Sequence, residues 1–472
     1  MIPRLSGNDL AERAADVGPD PRLIGAAVEL EGPPLDVDAV RGLLAARLHD
    51  APLLTRRVRP VPYGCGRPLW QDVVPDLDVH VRSDRCPEPG DSAALLALTA
   101  RLAGEDLPDD RPRWRLHVID GMAGARSAVV WFSDHAAADG PSTLTSVLTV
   151  LGRAPEIARP PTPATGPVPA RQTRATGPQG LPARPELMRD AAVARLCAIA
   201  RLPRGLLLLA AGVQELAASA GPRAPRTVLN RPIDAGIRLV VAEVGLEPLR
   251  AGARTCGATI NDAVLCAVGR TMHAELVRRG DPVEDLVLSC PVTVPARDRG
   301  DGETAAKPQN LVGVVRIPVP APGPPGPQEL QNHLARVARL SRPRKRHLSA
   351  ASTLLLSPAF RALAALRLYR PLVEHQRTMN AIVTNLRGPQ EEVTLCSRVV
   401  RGVVPVSPVV GNVPLAATAL SFGGRLSVTL RLAPALWPSA TELRDAVQRE
   451  LTAICELAPG QPSSACAPTG PL

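Results

Sequence analysis

Residues 127–140 read Ser127-Ala128-Val129-Val130-Trp131-Phe132-Ser133-Asp134-His135-Ala136-Ala137-Ala138-Asp139-Gly140. An apolar, β-branched run ends in a polar turn that carries a histidine, three alanines and an Asp-Gly pair. The run predicts a strand over Ser127 to Phe132. Ser142 to Leu151 follows as a helix. Upstream, Trp114 to Ile119 is a second apolar run, and Asp120-Gly121 between the two is a hairpin signal. A histidine at a strand-to-helix junction is held by a rigid element while its ring stays accessible. Imidazole titrates near neutrality and can take and return a proton. Small alanines leave room for a substrate, and Gly140 allows a turn that a side chain would obstruct. Taken by itself, the H-x-x-x-D-G string also fits a purely structural histidine.

The surroundings predict a mixed αβ chain. Leu23 to Leu30 reads as a strand, and Leu35 to Leu48 as a helix. Another helix covers Ser92 to Leu102. Pro155 to Pro185 is proline-rich and poor in large apolar residues, which predicts an extended bridge. A helical region spans Glu186 to Ala218. A second αβ body starts near Thr227. Its expected helices are Ile260 to Arg279, Gln328 to Leu340, the 359–377 region and Ala440 to Leu457. Its expected strands are Leu286 to Val292, Leu311 to Pro318, Ala381 to Thr384, Val393 to Val400, Pro414 to Ser421 and Leu426 to Leu432. The division is therefore 1–152, a linker with a bridging helix at 153–226, a second half at 227–458, and a disordered tail at 459–472.

Composition narrows the functions. The 472 residues carry a formal charge of +10, and 45% are hydrophobic. Only three Phe, four Trp and two Tyr are present, too few for a base-stacking nucleic-acid platform. All basic residues but Lys307 and Lys345 are arginine. The nine cysteines form no C-x-x-C pair, so a zinc or thioredoxin motif is unsupported. Scattered, odd-numbered thiols fit a reducing compartment. No signal-peptide or membrane-span pattern is read, so a cytoplasmic protein is expected. The arginine-rich stretches at 336–346 and 359–370 fit either a solvated helix face or contact with an anionic membrane.

Several short segments occur in a telling order. They are Leu5-Ser6-Gly7-Asn8-Asp9, Arg22 to Val28, Gly66 to Trp70, Asp76 to Arg82 and Arg111-Pro112-Arg113-Trp114. Further on come the 134–140 motif, Asn261 to Leu265, Pro291 to Arg297 and Thr384 to Pro389. Together these resemble the bacterial wax ester synthase/diacylglycerol acyltransferase family, within the CoA-dependent acyltransferases that share an HHxxxDG motif. The resemblance implies two chloramphenicol-acetyltransferase-like halves joined by a linker, with the active site in a tunnel between them. It implies transfer of a fatty acyl group from acyl-CoA to diacylglycerol or a long-chain alcohol, with no other cofactor and no metal. His135 matches the motif's second histidine and takes the general base role. Asp139, the motif aspartate, orients the loop, with Arg297 as a candidate ion-pair partner. Asn261 and Asn385 are candidates for the oxyanion or for substrate positioning. The expected partners are acyl-CoA, a lipid acceptor, and a membrane or lipid-droplet surface.

Two departures from the family pattern stand out. The first motif histidine is Asp134, and the Leu of the family's RPLW segment is Arg113. They keep two alternatives open: a divergent chain that binds acyl-CoA or lipid without turnover, and a condensation-like acyltransferase with another acceptor.

Overall fold

In the computed structural model, residues 2–136, 140–152, 181–200, 223–293, 312–324, 326–346, 366 and 368–459 are described. The first elements are α1 (Gly7–Ala14), β1 (Leu23–Glu31), α2 (Val37–Arg47), β2 (Arg56–Arg59), β3 (Leu69–Asp72), α3 (Leu77–His80), β4 (Val81–Arg85) and α4 (Ser92–Ala103). Next come β5 (Trp114–Asp120), β6 (Arg126–Asp134), α5 (Gly140–Leu151) and α6 (Arg184–Ala200). Then follow β7 (Arg238–Gly245), α7 (Leu246–Thr255), α8 (Ile260–Arg278), β8 (Asp285–Thr293), β9 (Val312–Pro320), α9 (Pro327–Arg346) and α10 (Tyr369–Glu374). The chain closes with β10 (Ala381–Arg387), β11 (Thr394–Leu395), β12 (Arg398–Val406), β13 (Leu415–Phe422), β14 (Arg425–Leu432) and α11 (Ala440–Cys455).

Local chemistry sets several of these boundaries. The Asp36 side chain accepts the Asp38 N–H, so α2 starts at Val37 and not at Leu35. Thr259 and Asp262 form a reciprocal capping box that begins α8 and puts Asn261 in its first turn. Of the helix expected over 186–218, the described part is α6; of that expected over 359–377, it includes α10. The bridge at 153–180, residues 201–222 and 347–365, and the tail from 460 onward lie outside the described residues.

Two six-stranded sheets form the frame. The first runs β11-β12-β1-β6-β5-β4 and the second β7-β14-β13-β10-β8-β9. The hairpin expected at Asp120-Gly121 pairs β5 with β6, Trp114 opposite Ser133. Both sheets are mixed: β4 is parallel to β5, and β10 is parallel to β8 and β13.

One segment departs from the division by chain order. The single strand expected over Val393 to Val400 is a short hairpin instead, turning at Cys396 and Ser397 with φ of 50° and 62°. Its second strand, β12, runs on to Val406 and pairs with β1 in the first sheet. Val400 and Val403 of β12 pack into one core cluster, and Val404 and Val406 into another. A strand with apolar residues on both faces has to lie inside a sheet, and the gap beside β1 provides that place.

β1 thus lies between β6 and β12, with Gly25 opposite both Phe132 and Val406. A methyl group built on Gly25 would fall 2.1 Å from the Trp131 carbonyl oxygen and 2.5 Å from the Phe132 ring. A glycine is therefore required where β1 closes on the strand that carries the motif. The halves also meet at a polar contact: Asp20 accepts the Gly236 N–H at 3.0 Å and pairs with buried Arg431 at 3.6 Å.

Two predictions follow from this packing. Gly25→Val should destabilise the protein by at least about 2 kcal/mol, because overpacking here meets backbone as well as a ring; a denaturant titration measures it. Glu243 on β7 is buried, with Arg425 3.7 Å away. Burial pushes its carboxyl up to about 7, with Arg425 opposing and Glu29 adding to the rise. A carboxyl raised from an unfolded value near 4.5 binds more protons folded than unfolded. Stability should then fall as pH rises through about 4.5 to 7. Glu243→Gln should raise the melting temperature at pH 8 and change it little at pH 4.

Candidate active site

The motif begins where β6 ends. Asp134 is the last residue of β6, opposite Leu23 of β1. It is buried, and so is Ala136, while His135 between them is half-buried. Oδ1 of Asp134 accepts the Ala136 N–H at 2.9 Å, and the Asp134 N–H donates to the Arg113 carbonyl at 2.9 Å. The His135 N–H donates to the Arg22 carbonyl at 3.3 Å. The backbone on both sides of the histidine is thus pinned, and the ring keeps some exposure.

The two departures from the family pattern turn out to be partners. Nε of Arg113 lies 2.8 Å from Oδ2 of Asp134, and the two side chains are only 11% and 10% exposed. Arg13 of α1 donates to the same oxygen at 3.4 Å. Arg113 also meets Asp109 at 2.8 Å, Asp106 at 3.2 Å and Asp16 at 3.8 Å. Burial alone would lower the Arg113 pKa, but Asp134 and the other three carboxylates outweigh it and hold it above the ordinary value. A guanidinium this little exposed is tolerable here because carboxylates surround it.

Helix α1 supplies a second contact. Glu12 Oε2 lies 3.9 Å from Nδ1 of His135 and 2.8 Å from Nη2 of Arg22. Burial pushes the Glu12 carboxyl up, yet Arg22 and then His135 more than offset this, and its pKa lies below the ordinary value. Sequence reading missed Glu12, Arg13 and Arg22. The available signal was the opening Leu5-Ser6-x-x-Asp9. The Ser6 N–H donates to Asp9 at 2.8 Å, and the Asp9 N–H donates to Ser6 Oγ at 3.1 Å. This is a capping box, and it starts the helix that carries Glu12 and Arg13.

Beside the motif lies a narrow cleft lined in part by Leu54, Trp70, Trp114, Trp131, Arg13 and Arg113. Trp114 and Trp131 stack at 4.9 Å. Three of the four tryptophans of an aromatic-poor chain therefore gather here.

The remaining candidates are spread out. Gly140 is the first residue of α5. Asp139 and Arg297 lie outside the described residues. Asn261 sits in the first turn of α8, where its Oδ1 accepts from Cys290 Sγ at 3.6 Å. Its Nδ2 is buried with no hydrogen-bond partner among the described residues. Asn385 is half-buried on β10, opposite Ala419 of β13. Asn385 belongs to the second sheet and Asn261 meets that sheet from α8, at Cys290 of β8, which is parallel to β10. Asp262, next to Asn261, caps α8 and accepts from Ser341 Oγ at 2.6 Å, which is a structural task. No group of three or more His, Cys, Asp or Glu suited to a metal occurs among the described residues.

Comparison with known proteins adds the family context. Residues 6–264 match the wax ester synthase/diacylglycerol acyltransferase catalytic domain, and residues 309–455 match the C-terminal domain of the same family. A Mycobacterium tuberculosis protein named probable diacylglycerol O-acyltransferase tgs1 is 28% identical over 411 residues, 85% of this chain and 84% of its own. The wax ester synthase/diacylglycerol acyltransferase of Marinobacter aquaeolei VT8 superposes with a TM-score of 0.65 at 20% identity, covering 96% of this chain and 99% of that one. A mutant starter condensation domain of rhizomide synthetase, solved with C8-CoA, superposes with a TM-score of 0.59 at 12% identity, covering 98% and 97%. These two likenesses establish the shared two-sheet fold.

The Arg113–Asp134 pair gives a prediction. Arg113→Leu or Asp134→His alone leaves a buried charge short of its partner and should cost about 3 kcal/mol. The double substitution, which restores both family residues, should recover most of that loss. A double-mutant cycle by chemical denaturation measures it, and strictly additive losses would contradict the pairing.

Proposed function

The chain belongs to the wax ester synthase/diacylglycerol acyltransferase family, and from that premise we propose that it transfers a fatty acyl group from acyl-CoA to diacylglycerol or a long-chain alcohol, with His135 as the general base. The observation that carries this reading is the placement of His135, a partly exposed ring on a pinned backbone at the end of a buried strand.

An alcohol is a poor nucleophile at neutral pH. His135 takes the hydroxyl proton as the oxygen bonds to the thioester carbon. The carbonyl oxygen becomes an oxyanion, the C–S bond then breaks, and the CoA sulfur leaves with the proton returned by His135. The products are an ester and free CoA, and no acyl-enzyme forms. Holding both substrates in line supplies much of the rate. The amide of Asn261, buried and without a partner among the described residues, is the type of donor an oxyanion requires, and Asn385 is the second candidate. The family resemblance gives Asp139 a loop-orienting role, with Arg297 as the candidate ion-pair partner. Diacylglycerol is the acceptor favoured by the names of the Mycobacterium relatives.

The inactive alternative rested on Asp134. Its carboxylate is engaged by Arg113, Arg13 and the Ala136 N–H, so the charge beside the base is compensated, which favours an active site. Among the described residues no helix is long and apolar enough to cross a membrane. Contact with a lipid surface is the mode we propose for reaching an apolar acceptor, supported by exposed Met188, Val193 and Leu196 on α6 and by the net charge of +10.

The purified protein should release free CoA from palmitoyl-CoA in the presence of dioleoylglycerol. His135→Ala should lower that rate by about 10²–10⁴-fold, the usual share of a general base. Thiol detection across a panel of diacylglycerols and fatty alcohols measures it. Acyl-CoA binding with no CoA release for any acceptor would overturn the enzyme reading.

A further inference from the structure

We propose that Glu12 is a positioning residue for His135: its carboxylate faces Nδ1, favours the tautomer that leaves Nε2 as the basic nitrogen, and stabilises the imidazolium formed when the acceptor proton is taken. The inference rests on the reading of His135 as the base.

The geometry is that of a two-rung ladder. Consecutive residues of α1, Glu12 and Arg13, meet consecutive residues at the end of β6, His135 and Asp134, each rung joining opposite charge types. Arg22 braces the ladder from β1's lead-in. Its guanidinium holds Glu12 Oε2 at 2.8 Å, and its carbonyl accepts the His135 N–H at 3.3 Å. Glu12 is therefore placed by a partner other than the histidine, as an orienting carboxylate has to be. The 3.9 Å separation from Nδ1 is longer than a hydrogen bond. Contacts of this kind are commonly long without substrate and shorten once the ring carries charge. The other charged or titratable groups facing the pair are Arg13, Asp16, Arg22, Arg113, Asp134 and, from α10, buried Tyr369. Among the described residues, Glu12 is the only carboxylate paired with the ring.

The test uses the full chain, with Glu12→Gln, Glu12→Asp and His135→Ala assayed for CoA release from palmitoyl-CoA and dioleoylglycerol. Glu12→Gln should lower kcat about 10- to 100-fold, less than the loss of the base itself, with KM for either substrate changed less than about threefold. The acid limb of the rate profile should move to lower pH, by about half a unit to one unit, because the imidazolium has lost a neighbouring negative charge. Glu12→Asp should recover part of both effects. Ring ¹⁵N shifts at pH 8 should report Nδ1–H in the wild type and a shift toward Nε2–H in Glu12→Gln. This readout needs no turnover. An inactive His135→Ala beside a Glu12→Gln with unchanged kcat, acid limb and tautomer would overturn the positioning role and leave the base reading intact. A fully active His135→Ala would overturn the base reading, and an unchanged tautomer in Glu12→Gln would then overturn the Glu12 contact as well. Should Glu12→Gln fail to fold, Glu12→Asp gives the same readouts, and its identity with wild type in all of them would overturn the proposal.

Discussion

A guanidinium and a carboxylate buried together beside the motif histidine set the terms for this site. Asp134 ends a strand that is buried along most of its length, and an isolated carboxylate there would cost several kcal/mol. Arg113 and Arg13 meet that charge from two different elements. The same carboxylate accepts the Ala136 N–H across the histidine. One side chain therefore links α1, the lead-in to β5 and the motif turn, and His135 is held by consequence. Once Asp134 is in place, Arg13 is fixed, and Glu12 beside it is carried to the ring.

The fold makes this convergence achievable. Gly25 lets β1 approach β6 more closely than a side chain would permit, which brings Arg22 next to the motif. The strand after Ser397 crosses into the first sheet and covers the other side of β1. The motif strand and its neighbour are therefore shielded by residues some 270 positions apart in the sequence. A rigid frame of this kind is what the proposed proton transfer at His135 needs, because small displacements of a base cost rate steeply.

Much of the frame was legible in the chain. Alternating and continuous apolar runs marked β1, the β5–β6 hairpin, β8, β9, β13 and β14, since burial on a sheet face dictates those patterns. The ordered motifs pointed to the family. Elements with mixed composition were not legible. Arg238 to Gly245 and the Arg56–Asp72 hairpin carry charges in short strands. The 393–400 stretch was read as one strand, because the turn at Cys396-Ser397 uses two left-handed residues that are neither glycine nor asparagine.

The sequence by itself determined that His135 follows a buried strand, that two αβ bodies are built from such strands, and that Asp134 and Arg113 break a family pattern. These are local properties, carried by periodicity, turn chemistry and residue identity. Only the tertiary structure decided that the two departures are one ion pair, that Glu12 and Arg22 stand behind the histidine, and that a late strand completes the early sheet. Contacts between residues distant in the chain, from the 21 positions between Arg113 and Asp134 to the 381 between Gly25 and Val406, leave no periodic trace. They are chosen by which charges and apolar faces can be buried together when the chain closes.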